Sequence, residues 1–84
     1  MLELDHSDFK IVRIEWLDSC QAVSGWAELD NLDLSIPTMI TVGFVIRQNL
    51  EVVAVATSLG RYHVGTVTVI PKCSIKRIEY INVT

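Results

Sequence analysis

Apolar and polar residues alternate along most of this chain. In FKIVRIEW (9–16), Val12, Ile14 and Trp16 fall on one side, while Arg13 and Glu15 fall on the other. That period of two predicts a half-buried strand. TMITVGFVIR (38–47) repeats it, with Ile40, Val42, Phe44 and Ile46 on one face and Thr41, Gly43 and Val45 on the other. Gly43 inside such a run marks a sharp bend or a close approach of backbones. QNLE (48–51) is a turn signal, and EVVAVATS (51–58) returns as the partner strand. Both faces of that partner are apolar: Val52, Ala54 and Ala56 on one, Val53 and Val55 on the other. VGTVTVI (64–70) alternates again until Pro71, which cannot continue a ladder, so PKCSI reads as a tight turn or a single 3₁₀ turn. IKRIEYINV closes the series as a last short strand.

Between Leu17 and Ser35 lies a long connection, LDSCQAVSGWAELDNLDLS. Its middle, Trp26 to Leu32, is expected to make one or two helical turns behind Ser24 as a cap, a short helix within 24–32. Close to a third of the chain is Val, Ile or Thr, which favours strands. The expectation is an all-β domain spanning residues 1–84, with five strands in a small barrel or a strongly bent antiparallel sheet.

Composition adds an expectation about assembly. Half of the 84 residues are hydrophobic, and the mean hydropathy is +0.38. A chain this short buries only about 60–65% of the surface its unfolded form exposes. The surplus apolar surface needs a cover, and another copy of the chain is the economical one. The second apolar face of 51–58 points the same way. The longest uncharged stretch, 34–46, is too short and too interrupted to span a bilayer. The first ten residues lack a basic segment followed by an apolar one, so no secretory signal is expected. Cys20 and Cys73 are then expected to be free thiols in a reducing cytoplasm, with one disulfide as the alternative.

The formal net charge of −3 is unevenly spread. Residues 1–33 carry eight acids against Lys10 and Arg13, about −6, and residues 34–84 carry five bases against Glu51 and Glu79, about +3. An acidic whole argues against general nucleic-acid binding, which draws its affinity from many phosphate contacts. It leaves room for one local basic patch facing a small anion.

The order of elements, with WLDS ending a strand, GW in a variable loop, ITVGFVI, EVVAVATS and a final VTVIPKCSIKRIEYI, resembles short proteins of phages and prophages. The last third resembles the turn-then-strand ending of Sm-like and SH3-like barrels. The likeness covers roughly residues 10–81 as a pattern of hydrophobics. The glycine and asparagine signatures of RNA-binding Sm proteins are missing here. The resemblance implies ring or dimer formation, and some small phage β-proteins act as sponges that sequester nucleotide signals of bacterial immunity.

Candidate chemistry concentrates in SLGRYHVG (58–65). Gly60 and Gly65 permit turns that other residues resist, and exposed N–H groups beside an arginine suit an anion. Arg61 has the fork to hold a phosphate, Tyr62 the ring to stack on a base, and His63 a further donor. The plain alternative is a β-turn with solvated side chains. Arg47 and Trp26 are the candidate helpers, although a plug for the barrel end is the favoured role of Trp26, since burial is the commoner use of an indole. Lys72, Lys76 and Arg77 read as solvated charges. Asp5, His6 and Asp8 are of metal-ligand types, but no second histidine stands at ligand spacing, so no metal is expected. No nucleophile elbow or glycine-rich phosphate loop occurs, and neither catalysis nor a cofactor is expected. The function expected is non-enzymatic: a homo-oligomer that binds a small anionic, nucleotide-like ligand through Arg61, Tyr62 and His63. The alternatives are a structural or protein-interaction module without a small ligand, and an Sm-like RNA-binding module.

Overall fold

The computed structural model describes residues 2–18 and 25–82. Five strands form: β1 (Ile11–Leu17), β2 (Thr38–Gln48), β3 (Val52–Leu59), β4 (Val64–Pro71) and β5 (Ile75–Ile81). All pair antiparallel in one open sheet of order β4-β3-β2-β1-β5. The fold is all-β, as the alternation predicts. The regular helical pieces among the described residues are three 3₁₀ turns, at His6–Asp8, Leu29–Asn31 and Lys72–Ser74. The helix expected within 24–32 is therefore a single turn, and its proposed cap, Ser24, lies outside the described residues. Asp33 shows what competes with a longer helix, because its carboxylate accepts from the Ser35 N–H at 2.9 Å and holds a local turn instead. No helix among the described residues is long and apolar enough to cross a membrane.

The sheet curls on itself around a small core. Val12 and Ile14 of β1 pack with Val53 and Val55 of β3 and Ile70 of β4. Neighbouring strands lie about 4.8 Å apart, so β1 and β4, three places apart, share one core only if the sheet bends strongly. Two irregularities in the ladder serve that bend, one in β1 between Glu15 and Trp16 and one in β2 between Val45 and Arg47. Gly43 sits buried in the middle of β2. A Cβ there would overlap the Ala56 carbonyl oxygen and stand 2.7 Å from Val55 Cγ1. The close approach expected of this glycine is therefore real.

The register decides which face of β2 looks inward. Ile14 opposes Thr41 and Val12 opposes Gly43, so Thr41 and Gly43 share the core face. Trp16, half-buried, donates from Nε1 to Thr41 Oγ1 at 3.0 Å. Ile40 and Val42 point outward and are 55% and 50% exposed. Val67 and Val69 of β4 are exposed as well. They oppose Ala56 and Ala54 across the ladder. On β3 itself the second apolar face is not left open: Ala56 is fully buried and Val52 and Ala54 are half-buried, so the exposed apolar surface lies on the neighbouring strands.

The β2–β3 turn is built by one side chain. Asn49 Oδ1 accepts from the backbone N–H groups of Glu51 at 2.8 Å and Val52 at 2.9 Å, and Asn49 N–H donates to the Val52 carbonyl. Asn49→Ala removes both side-chain bonds and should cost about 1 kcal/mol, or about 4–8 °C of Tm in a domain this size, read by thermal melting.

On the outer face of β1 and β5, Arg13 opposes Glu79 and Glu15 opposes Arg77. Arg13 bonds Glu15 at 2.8 Å and reaches Glu79 at 3.5 Å, and Arg77 reaches Glu79 at 3.1 Å. The Arg13 hydrogen bond holds the Glu15 carboxyl below its ordinary value of 4.5. A depressed carboxylate stabilises the fold above its unfolded pKa and loses that contribution as pH falls through the folded one. Glu15→Gln should therefore be less stable than the parent at pH 7. The difference should shrink below pH 4.5, which paired melts at pH 7 and pH 3 would detect.

Candidate functional site

The loop that joins β3 to β4, residues 60–63, closes with a Gly60 N–H to His63 carbonyl bond of 2.8 Å. Neither Gly60 nor Gly65 adopts a left-handed backbone. Among the described residues that conformation falls on Gly25 (φ 91°) and on Thr66 (φ 47°). The loop is therefore a turn that does not rely on glycine freedom, which corrects the role assigned to its glycines.

Arg61, Tyr62 and His63 are all exposed. The Arg61 guanidinium lies 5.8 Å from the centre of the Tyr62 ring, a cation–π distance. The segment before β1 is laid against this loop. Leu4 N–H donates to the Arg61 carbonyl at 2.8 Å, and His6 Nε2 donates to the Gly60 carbonyl at 2.8 Å. Glu3 pairs with Arg61 Nε at 3.0 Å. Both partners are well exposed, so this pair contributes little to stability, but it places a carboxylate where an anionic ligand would bind.

The Asp5, His6 and Asp8 cluster has a local job. Asp5 caps the first 3₁₀ turn, accepting from Ser7 N–H at 3.1 Å and from Ser7 Oγ at 2.6 Å. The Ser7 hydroxyl and N–H together hold the Asp5 carboxyl below its usual range. The Asp-x-Ser spacing of an Asx turn was the sequence signal for this anchored segment.

Arg47 lies elsewhere. It lines a groove of about 340 Å³ between the segment Asp8–Lys10, the end of β2 and Tyr80. A neighbouring hollow of about 610 Å³ continues past Phe9, Phe44 and Ile81. Lys10 Nζ stands 5.7 Å from the centre of the Tyr80 ring, and Lys10 carbonyl accepts from Val45 N–H at 2.9 Å. Sequence reasoning missed this groove, because Lys10, Arg47 and Tyr80 are far apart along the chain. Arg47 opposes Ala54, and the 60–63 loop begins six residues further on, about 20 Å along β3.

Trp26 plugs nothing. It is fully exposed, and every residue from Gly25 to Ile40 is exposed except half-buried Leu32. This arm leaves the sheet at a stem where Asp18 N–H donates to the Pro37 carbonyl at 3.1 Å. That stem is at the start of β2, whereas Arg47 is near its end. The structure therefore brings Arg61, Tyr62 and His63 together and leaves Arg47 and Trp26 apart from each other. Cys73 is a free, exposed thiol, and Cys20 lies outside the described residues. Compared with protein-family models, curated proteins and solved structures, the chain matches none of them.

Proposed function

We propose that this chain is a non-enzymatic binding module that works as a homo-oligomer. The observation that carries the reading is uncovered apolar surface. The chain exposes 6720 Å², against about 5,000 Å² for a compact monomer of its mass. Its radius of gyration is 16.6 Å, against about 12 Å for a compact chain of this length. Large apolar side chains at Trp26, Leu29, Leu34, Val67 and Val69 stand in that excess, and a monomer in water gains nothing by leaving them there. Sedimentation velocity should give a mass that is a multiple of 9.4 kDa. A monomer at tens of micromolar overturns the reading.

One observation favours a small anionic ligand as well. The β3–β4 loop offers a guanidinium on an aromatic face beside exposed His63, the kind of surface that takes a phosphate and a base. With the resemblance to short phage proteins, this supports a sponge for a nucleotide-like signal, acting in the cytoplasm of a bacterial host. Pyrophosphate is a plain probe of the loop. Calorimetric titration should show binding that Arg61→Ala abolishes and Glu3→Gln strengthens a few-fold, since the carboxylate competes for the same guanidinium. Equal binding by all three chains overturns the assignment.

A further inference from the structure

The arm and the groove are complementary in kind and stand at opposite ends of one strand. From Gly25 to Pro37 the arm carries Glu28, Asp30 and Asp33 and no lysine or arginine. Its apolar groups are Trp26 at 102% exposure, Leu29 and Leu34 at 82% each, and Ile36 at 52%. The groove has the opposite character. Lys10 and Arg47 stand at it against the single carboxylate of Asp8, and Phe9 and Tyr80 supply apolar walls. Phe44 and Ile81 extend those walls in the adjoining hollow. Residues 38–44 of β2 lie between the arm's stem and the part of the strand that lines the groove, a distance of about 25 Å at strand rise.

We infer that the arm of one copy docks in the groove of a second copy, with Trp26 as the apolar anchor and Lys10 and Arg47 facing the arm's carboxylates. This rests on the homo-oligomer reading and gives it a surface. Because arm and groove lie at opposite ends of β2, two copies side by side and antiparallel fill both grooves at once. The arrangement closes as a two-fold pair with no open contact left over. The anchor is an aromatic side chain entering an apolar pocket, the kind of contact that dominates interface energy. The charges around it choose the partner and raise the rate of encounter.

The test uses the full chain and sedimentation velocity at matched concentrations. The parent should be a dimer, and Trp26→Ala should raise its Kd at least tenfold. One double variant, Glu28→Lys with Asp30→Lys, makes the arm basic against a basic groove. A second, Lys10→Glu with Arg47→Glu, makes the groove acidic against an acidic arm. Each should be monomeric alone, and an equimolar mixture should form a heterodimer whose two contacts are both complementary. All the altered side chains are exposed, so the variants keep the fold, as circular dichroism would verify. A parent dimer that survives Trp26→Ala with unchanged Kd, or charge variants that do not pair on mixing, overturns the arm contact and leaves the homo-oligomer reading standing. A monomeric parent overturns both. A trimer or larger ring overturns the two-fold closure.

Discussion

Gly43→Ala is expected to cost roughly 3 kcal/mol or more, and Gly43→Val should leave little folded protein. Overpacking a core by a methyl group is destabilising chiefly because neighbours must shift. At Gly43 the nearest neighbour is the Ala56 carbonyl, which belongs to backbone, and Val55 Cγ1 is the next. Neither is the movable end of a long side chain. Relief therefore requires separating β2 from β3 near the centre of the sheet, where Phe44 opposes Ala56. A domain of 84 residues has about 4–13 kcal/mol of stability in total. Urea titration followed by far-ultraviolet circular dichroism measures the loss directly, and a midpoint unchanged from the parent would contradict the close approach.

The second large effect belongs to the small core. Ile14 and Ile70 are the bulkiest fully buried side chains. They come from β1 and β4, three places apart in the sheet, and belong to one buried cluster with Val53 and Val55 of β3 between them. Truncating either to alanine should cost about 3–4 kcal/mol, the transfer term plus the cavity left behind. Val69→Ala is the contrast. Val69 is 57% exposed on the outer face, so its truncation should change monomer stability by less than about 0.5 kcal/mol. If the two isoleucines prove as tolerant as Val69, the curled sheet is wrong.

Periodicity made the strands legible because a half-buried ladder repeats every two residues. The QNLE turn (48–51) was legible for a different reason: an asparagine that binds two N–H groups ahead of it is a local device. The inward face of β2 was not legible. By hydropathy alone Ile40 and Val42 belong inside, yet Thr41 and Gly43 hold that side, because the strands approach too closely there for larger residues and Trp16 supplies a donor for the threonine. Trp26, expected to begin a helical turn and to plug the barrel end, does neither: the regular turn among the described residues there is Leu29–Asn31, and Trp26 is fully exposed. Of the candidate site, Arg61, Tyr62 and His63 were readable because they are adjacent. The Glu3 and His6 contacts to their loop join residues more than fifty positions apart, and no local pattern announces such pairs.

The four charges on the outer face of β1 and β5 matter more for correctness than for strength. Ion pairs that remain partly open to solvent, as these do, stabilise little. A strand that slips by one residue turns its whole apolar set to the wrong face, but a slip by two keeps the faces and would go unpunished by hydrophobicity. Here it would not. Sliding β5 two residues one way sets Arg77 opposite Arg13, and sliding it two the other way sets Glu79 opposite Glu15. Like charges directly opposite repel. The checkerboard of Arg13, Glu15, Arg77 and Glu79 therefore works as a key that admits the last strand of the chain in one alignment.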